Sequence, residues 1–504
     1  MQTLDEGRDR PHFRSLRALF SFHVASLCDF FYSFVKLALP FLGPSSMPSS
    51  ELVLKEWAAC RGTLSRADQS VDIVCDISCS KTGELNVALQ NIPLTSQSAW
   101  LLSTALGSGE AVVAHVTLSV TTPEGDELES RHVYFSSVDT VFNGVHSVLR
   151  LGASAQTLSW KVRPLNEVPP AGKIAVMYHT IGMKGFGAVS RQVDEGNLTF
   201  SAPITLSAPH DLSGCVTIQP DQSPPSLNQF VDKCDLRVDP ILRVISLSQG
   251  RLIKWSVRRV FVGESLQFAY FRGANDAGPE MEAALHHFNL DSILDLAVTN
   301  FGSKTDSDTG VLEAIEWLMI FNKYAELRFL AASTAFEHLL RHSAEAEGSL
   351  FSRKLFKKLI RPTIEAALAS SEFQKELAAR LEDDVDKREG DRRVSVLCSK
   401  LGDLNRLPFQ DRLEAFLSKY QVPLEDLPLR VNDLLKTRNR LVHGSNSDDE
   451  FTDYSLTSRA GMMREVLRRT ILAILGFEGQ FQSWARGPES RRFRAKGDAA
   501  AIPP

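Results

Sequence analysis

Arg438, Asn439 and His443 are the residues of this 504-residue chain whose types and spacing most invite chemistry. They lie in Leu434-Leu-Lys-Thr-Arg-Asn-Arg-Leu-Val-His-Gly444, an apolar-periodic stretch closed by a glycine. A histidine titrates near neutral pH, so His443 can give or take a proton. The guanidinium of Arg438 is always charged and can grip two oxygens of a phosphate at once. Asn439 can hydrogen-bond a phosphate or orient the histidine. Gly444 suits the residue just past a helix end, which puts His443 where the helix stops. Residues five apart point ~140° from each other on a helix, so Arg438 and His443 do not share a face. The same cations also favour the negative end of a helix dipole, a purely structural use.

This Arg-Asn-x-x-x-His pattern resembles the signature of the HEPN superfamily, and the helices around it, from about Thr309 to Trp484, resemble the ApeA-like branch. The resemblance implies a metal-independent endoribonuclease, with a role in anti-phage defence or a stress response. In such chemistry the 2′-OH of RNA attacks the adjacent phosphate, leaving a cyclic phosphate and a 5′-OH. It assigns His443 to proton transfer, Arg438 to phosphate charge and Asn439 to orientation. The reaction needs an acid and a base, yet one motif supplies one histidine, so a homodimer through the helical region is expected. A non-catalytic HEPN module for dimerisation, nucleotide binding or signalling is the alternative.

Other charged groups suggest where RNA would be held. Lys354 and Lys358, with Arg353, Lys357 and Arg361, recur at helical spacing ahead of Pro362 and form one basic face. Arg440 flanks the motif. Arg464, Arg468 and Arg469 fall opposite the apolar stripe Met463, Val466, Leu467, Ile471 and Leu475, hence on the outer face of the last helix. His338 and His342 are i, i+4, but without an acidic third ligand at motif spacing no metal site is expected. No cofactor motif is visible, and Gly182–Gly187 lacks the Gly-Lys-Ser/Thr of a P-loop.

Composition frames these elements. Lys+Arg number 56 against 61 Asp+Glu, a net charge of −5, so any nucleic-acid contact must be local. Seven scattered cysteines suggest buried thiols and a reducing, cytoplasmic home rather than a disulfide framework. The expected fold class is α+β: an N-terminal antiparallel β sandwich or barrel-like domain, then an all-helical HEPN bundle. Residues 1–46 form a Phe/Leu-rich extension interrupted by His23, Asp29 and Lys36, with no clean membrane span; translation starting at Met47 is one reading of it, an amphipathic interfacial helix another. Residues 47–275 carry short alternating runs such as Ser70–Cys75 separated by Pro/Gly turns. That region is expected to meet an unknown ligand or partner, with Trp160, Tyr178, His179 and the 182–187 glycines as candidates and an ordinary core as the simpler use. Residues 276–485 carry helical periodicity, Leu381–Arg393 reads as a charged solvated loop, the last helix is expected to reach Trp484, and 486–504 are expected to be a disordered tail.

Overall fold

A computed structural model describes residues 56–80, 84–95, 98–105, 116–142, 147–162, 172–185, 187–203, 212–272, 282–284, 290–302, 310–342, 349–380, 387–401, 405, 407–443 and 453–493. The Phe/Leu-rich start, Gly444 and residues 494–504 lie outside them. Among the described residues no helix is long and apolar enough to cross a membrane.

Alternation is the local rule of the first half. Strand β2 (Gln69–Cys79) buries Val71, Ile73, Cys75 and Ile77 while the residues between them face outward. That is the period-2 pattern of a sheet with one covered face. The strands in chain order are β1 (Glu56–Arg66), β2, β3 (Leu85–Pro93), β4 (Val116–Thr121), β5 (Glu127–Phe142), β6 (Ser147–Ala155), β7 (Thr157–Lys161), β8 (Ile174–Ile181), β9 (Val189–Val193), β10 (Gly196–Ser201), β11 (Leu212–Gln219), β12 (Lys254–Val262) and β13 (Ser265–Arg272). They join in one antiparallel sheet, ordered β4-β1-β2-β3-β6-β5-β7-β13-β12-β8-β11-β10-β9. An added pairing of β4 (Val116–Thr121) with β5 (Glu127–Phe142) closes the first six strands on themselves, which removes their edges. Where β1 (Glu56–Arg66) crosses β4, a Cβ on Gly62 would stand 2.1 Å from the Ser119 carbonyl oxygen, so only glycine fits. The interior of this barrel reaches the next strands through Trp57, which meets Trp160 and Phe271 edge-on at 5.3 and 5.7 Å.

Trp160 and Tyr178 are thus core residues: Trp160 donates to Asp126 at 2.9 Å and Tyr178 to Asp235 at 2.8 Å. Burial and the neighbouring Asp235 carboxylate push the Tyr178 hydroxyl well above its ordinary pKa. Gly182 and Gly185 take positive φ at the turn after β8 (Ile174–Ile181).

The strand-rich region also contains a helix that the run of β-like segments does not anticipate. After the short α1 (Ala99–Ala105), α2 covers Leu227–Gln249. Ser226 caps it by accepting from the Gln229 N–H at 3.5 Å, and Gly250 ends it in the left-handed region at φ 63°. Its buried stripe, including Phe230, Val231, Cys234, Val238, Ile241, Leu242 and Ile245, covers the sheet over β8 and β12 (Lys254–Val262). Pro240 in its middle removes one hydrogen bond, a loss that the apolar burial on both sides outweighs.

The later helices build on α2. Helices α3 (Leu290–Phe301) and α4 (Val311–Met319) pack on it, α5 (Ala325–His342) packs on α4, and α12 (Asp453–Leu475) lies along α5. One apolar core runs from the sheet into these helices, including Val176, Phe200, Trp255, Ile315, Phe336 and Leu467. The helical periodicity after Gly310 resolves into two helices, parted at Ile320, whose backbone is extended at ψ 114°. Helix α6 (Arg353–Leu355) runs through a π-type turn (Phe356–Ile360) into α7 (Arg361–Leu368). The Arg361 N–H reaches back five residues to the Phe356 carbonyl, and this wider turn admits Pro362 without a break.

Helices α8 (Ser371–Arg380), α9 (Lys387–Lys400), α10 (Phe409–Lys419) and α11 (Val431–His443) follow. From Lys387 onward the charged stretch is therefore helix rather than loop, as its Lys, Arg and Glu residues are good helix formers. Gly476, at φ 79°, ends α12 well before Trp484. A hairpin of β14 (Gly479–Ser483) and β15 (Glu489–Phe493) replaces both the rest of that helix and the start of the expected tail. Phe481 and Phe493 bury themselves edge-on at 5.4 Å, which supplies the apolar anchor the hairpin needs.

Candidate functional site

Helix α11 carries the motif on a strongly sided surface. Leu434 and Leu435 are buried and Leu441 packs against the core, so the stripe 434–438–441 runs through Arg438. This explains why the Arg438 side chain is only 19% exposed while Asn439 is open to solvent. Thr437 is also buried. Its hydroxyl donates to the Asp433 carbonyl at 3.0 Å and accepts from Arg459 at 2.9 Å, which ties α11 to the first half of α12.

Three groups hold Arg438. Its Nη2 is in an ion pair with Glu337 of α5, 101 residues earlier. The guanidinium carbon lies 5.0 Å from the ring centroid of Phe409, the first residue of α10, close enough for a cation–π contact. Nη1 donates to Asn439 Oδ1 at 3.3 Å, while the buried Nε has no partner among the described residues. A guanidinium fixed in this way is pre-oriented, and a bound anion would share it with the Glu337 carboxylate. His443 is the last residue of α11. With the helix running through it, its backbone position is turned ~140° from that of Arg438, so the two are not gathered on one face. Arg440 is half-buried on the same helix.

Glu337 and Phe409 are the residues here that spacing does not reveal. Glu337 stands in the sequence only as one polar residue of α5, and Phe409 only as the residue after a helix-entry proline. Beside Glu337, His338 and His342 stack with ring centroids 6.4 Å apart, and Trp317 lies 6.3 Å from His338. Among the described residues the buried His338 Nδ1 is unpartnered, and no group of three or more metal-capable side chains gathers.

The flanking cations divide sharply. Lys354 and Lys358 are exposed, as expected, although the π-type turn between them and the exposed Leu355 and Leu359 make the face mixed rather than purely basic. Arg464, Arg468 and Arg469 are not on an outer face at all. They are 2%, 1% and 1% exposed, inside the junction of α12 with the hairpin. Arg464 and Arg468 meet Glu282 at 3.1 and 3.2 Å, and Arg468 and Arg469 both meet the fully buried Glu465. Arg469 also grips Asp426 through two bonds of 2.5 and 2.8 Å. Burial works against the Arg469 charge, but the bonds to Asp426 and Glu465 win and raise its pKa. The bond from Arg469 likewise holds Asp426 below the usual carboxylate range, against the effect of burial. Arg464 and Arg468 are therefore removed as RNA contacts, because their charge is spent inside the fold. Comparison with protein-family profiles, curated proteins and solved structures finds no match to this chain.

Proposed function

We propose that this chain is a metal-independent endoribonuclease of the HEPN type, cleaving RNA through attack of the 2′-OH on the neighbouring phosphate. The observation that carries the reading is a motif arginine held in place in the second half of α11, with Asn439 beside it and His443 on the last turn. Arg438 takes the charge that builds on the phosphate, Asn439 orients, and His443 transfers the proton. Such a cleavage needs no metal, since guanidinium and imidazole supply the charge and the proton transfer. Because one chain offers one motif histidine, spaced five residues from its arginine along a helix, the working site is completed by a second copy docked through the helical region. Lys354 and Lys358 are the exposed cations that would track the RNA backbone. A cytoplasmic setting and a role in phage defence or stress belong to the same proposal, through the family resemblance.

One observation favours the non-catalytic alternative. Arg438 is already paired with Glu337 and stacked on Phe409 within its own chain, an arrangement that also serves to lock α11 against α5 and α10. Incubating the purified chain with labelled total RNA in EDTA separates the two. The nuclease reading expects cleavage with 2′,3′-cyclic phosphate ends that is abolished in a folded His443→Ala variant. Absence of cleavage by the parent would favour the binding module, whereas a metal requirement or 3′-OH ends would reject the metal-independent mechanism.

A further inference from the structure

Two adjacent arginines on β12 have opposite fates. Arg258 points toward α2, pairs with Asp235 and lies 5.2 Å from the Tyr270 ring centroid. Arg259, on the other face by strand alternation, is 2% exposed, and its Nη2 is buried with no hydrogen-bond partner among the described residues. The register fills in its surroundings. Cys215, His179 and Val257 form one row across β11 (Leu212–Gln219), β8 and β12, and Thr217, Met177 and Arg259 form the next row on the same face. His179 is also buried, with its Nε2 unpartnered among the described residues. Burial, reinforced by the charge on Arg259, pushes the His179 pKa down to about 3, so the imidazole is neutral at physiological pH.

Burial lowers the Arg259 pKa to about 10, opposed only by Cys215, so the guanidinium stays charged and no carboxylate among the described residues answers it. Elsewhere in this region the fold does supply a counter-ion: Asp235 for Arg258, Glu195 for Arg237 and Asp239 for Arg272. A buried guanidinium left without an anion is costly, and its planar donor fork matches two oxygens of a carboxylate or phosphate. Cys215, Met177 and Thr217 beside it are partly exposed, so the row is open at its rim.

We propose that this face of β11, β8 and β12 is a binding site for a small oxyanion group, a phosphate or carboxylate carried by a small molecule. Arg259 supplies the charge and His179 a neutral hydrogen bond. The site lies on the sheet face away from α2, uses none of the α11 motif residues, and stands whether or not the chain cleaves RNA.

The test is thermal unfolding of the full chain, titrated separately with inorganic phosphate and with formate at ionic strength held constant by sodium chloride. The midpoint should climb with the logarithm of phosphate, formate or both once the site fills, and not with chloride. A response to phosphate alone identifies a phosphoryl ligand, and a response to formate a carboxylate. In Arg259→Met the response should vanish, and the ligand-free midpoint should equal or exceed the parent's because an unpaired buried charge is gone. No response in the parent, or the same response in Arg259→Met, overturns the site. Should that variant not fold, alkylation of Cys215 in the native parent over hours, mapped by mass spectrometry, decides. The responding anion should slow it several-fold while leaving Cys398 unchanged, and an unchanged Cys215 rate overturns the proposal.

Discussion

Replacing Glu465 by alanine tests whether the arginines of α12 are structural. Its carboxylate is fully buried and accepts from Arg468, from Arg469 Nε at 2.9 Å and from the Trp484 backbone N–H at 3.3 Å. Arg469 goes on to the Pro423 carbonyl at 2.7 Å and Ser483 Oγ at 3.0 Å, so one acid helps fasten α12 to the 423–426 turn and to the hairpin. Removing one partner of a buried ion pair costs about 3–5 kcal/mol. Here Asp426 still answers Arg469 and Glu282 still answers Arg468, so about 3 kcal/mol, the lower end, is the expected loss. Against a total stability of about 5–15 kcal/mol that is a large fraction. The control is Arg361→Ala, which breaks an exposed i, i+4 pair with Glu365 and should cost about 0–1 kcal/mol. Urea unfolding followed by far-ultraviolet circular dichroism measures both, and hydrogen exchange should show the β14–β15 amides opening first in Glu465→Ala. If the two variants unfold at the same urea concentration, the network does not hold the hairpin and the reasoning fails.

Three further outcomes are expected. Mixing Arg438→Ala with His443→Ala under subunit exchange should restore RNA cleavage if each site takes arginine from one chain and histidine from the other; a chain that sediments as a monomer at working concentration removes the shared site. Lys354→Ala and Lys358→Ala should each flatten the dependence of RNA affinity on salt, by a slope of about 0.7 per lost contact to single-stranded RNA, whereas Arg468→Ala should lower stability and leave that slope alone; the reverse ranking would restore the outward-facing reading of α12. His179, charged below about 6.5 when unfolded but kept neutral to about 3 in the fold, makes the native state bind fewer protons, so stability falls as pH falls through that window. Relative to His179→Phe, the parent should lose about 1.4 kcal/mol per pH unit between pH 6 and 4 in denaturant titrations, and parallel curves would place the histidine in water.

The sequence by itself determines what depends on neighbours along the chain. Alternation in Ser70–Cys75 gives a strand, apolar periodicity from Leu434 gives a helix, and the solvated lysines 354 and 358 stay outside because nothing recompenses their desolvation. The motif's spacing likewise fixes the divergence of Arg438 and His443 before any fold is known. What only the tertiary structure decides is where a counter-charge or an apolar wall arrives from far away. Arg464, Arg468 and Arg469 carry the pattern of an outer face, yet Glu282 and Asp426 reach them from distant segments, and Glu465 on the same helix turns inward with them. Arg438 acquires Glu337 across 101 residues and a ring from α10. Helix α2 survives Pro240 because the sheet beneath buries its stripe. A charged side chain belongs in water unless a partner meets it inside, and sequence spacing does not say which partners will meet.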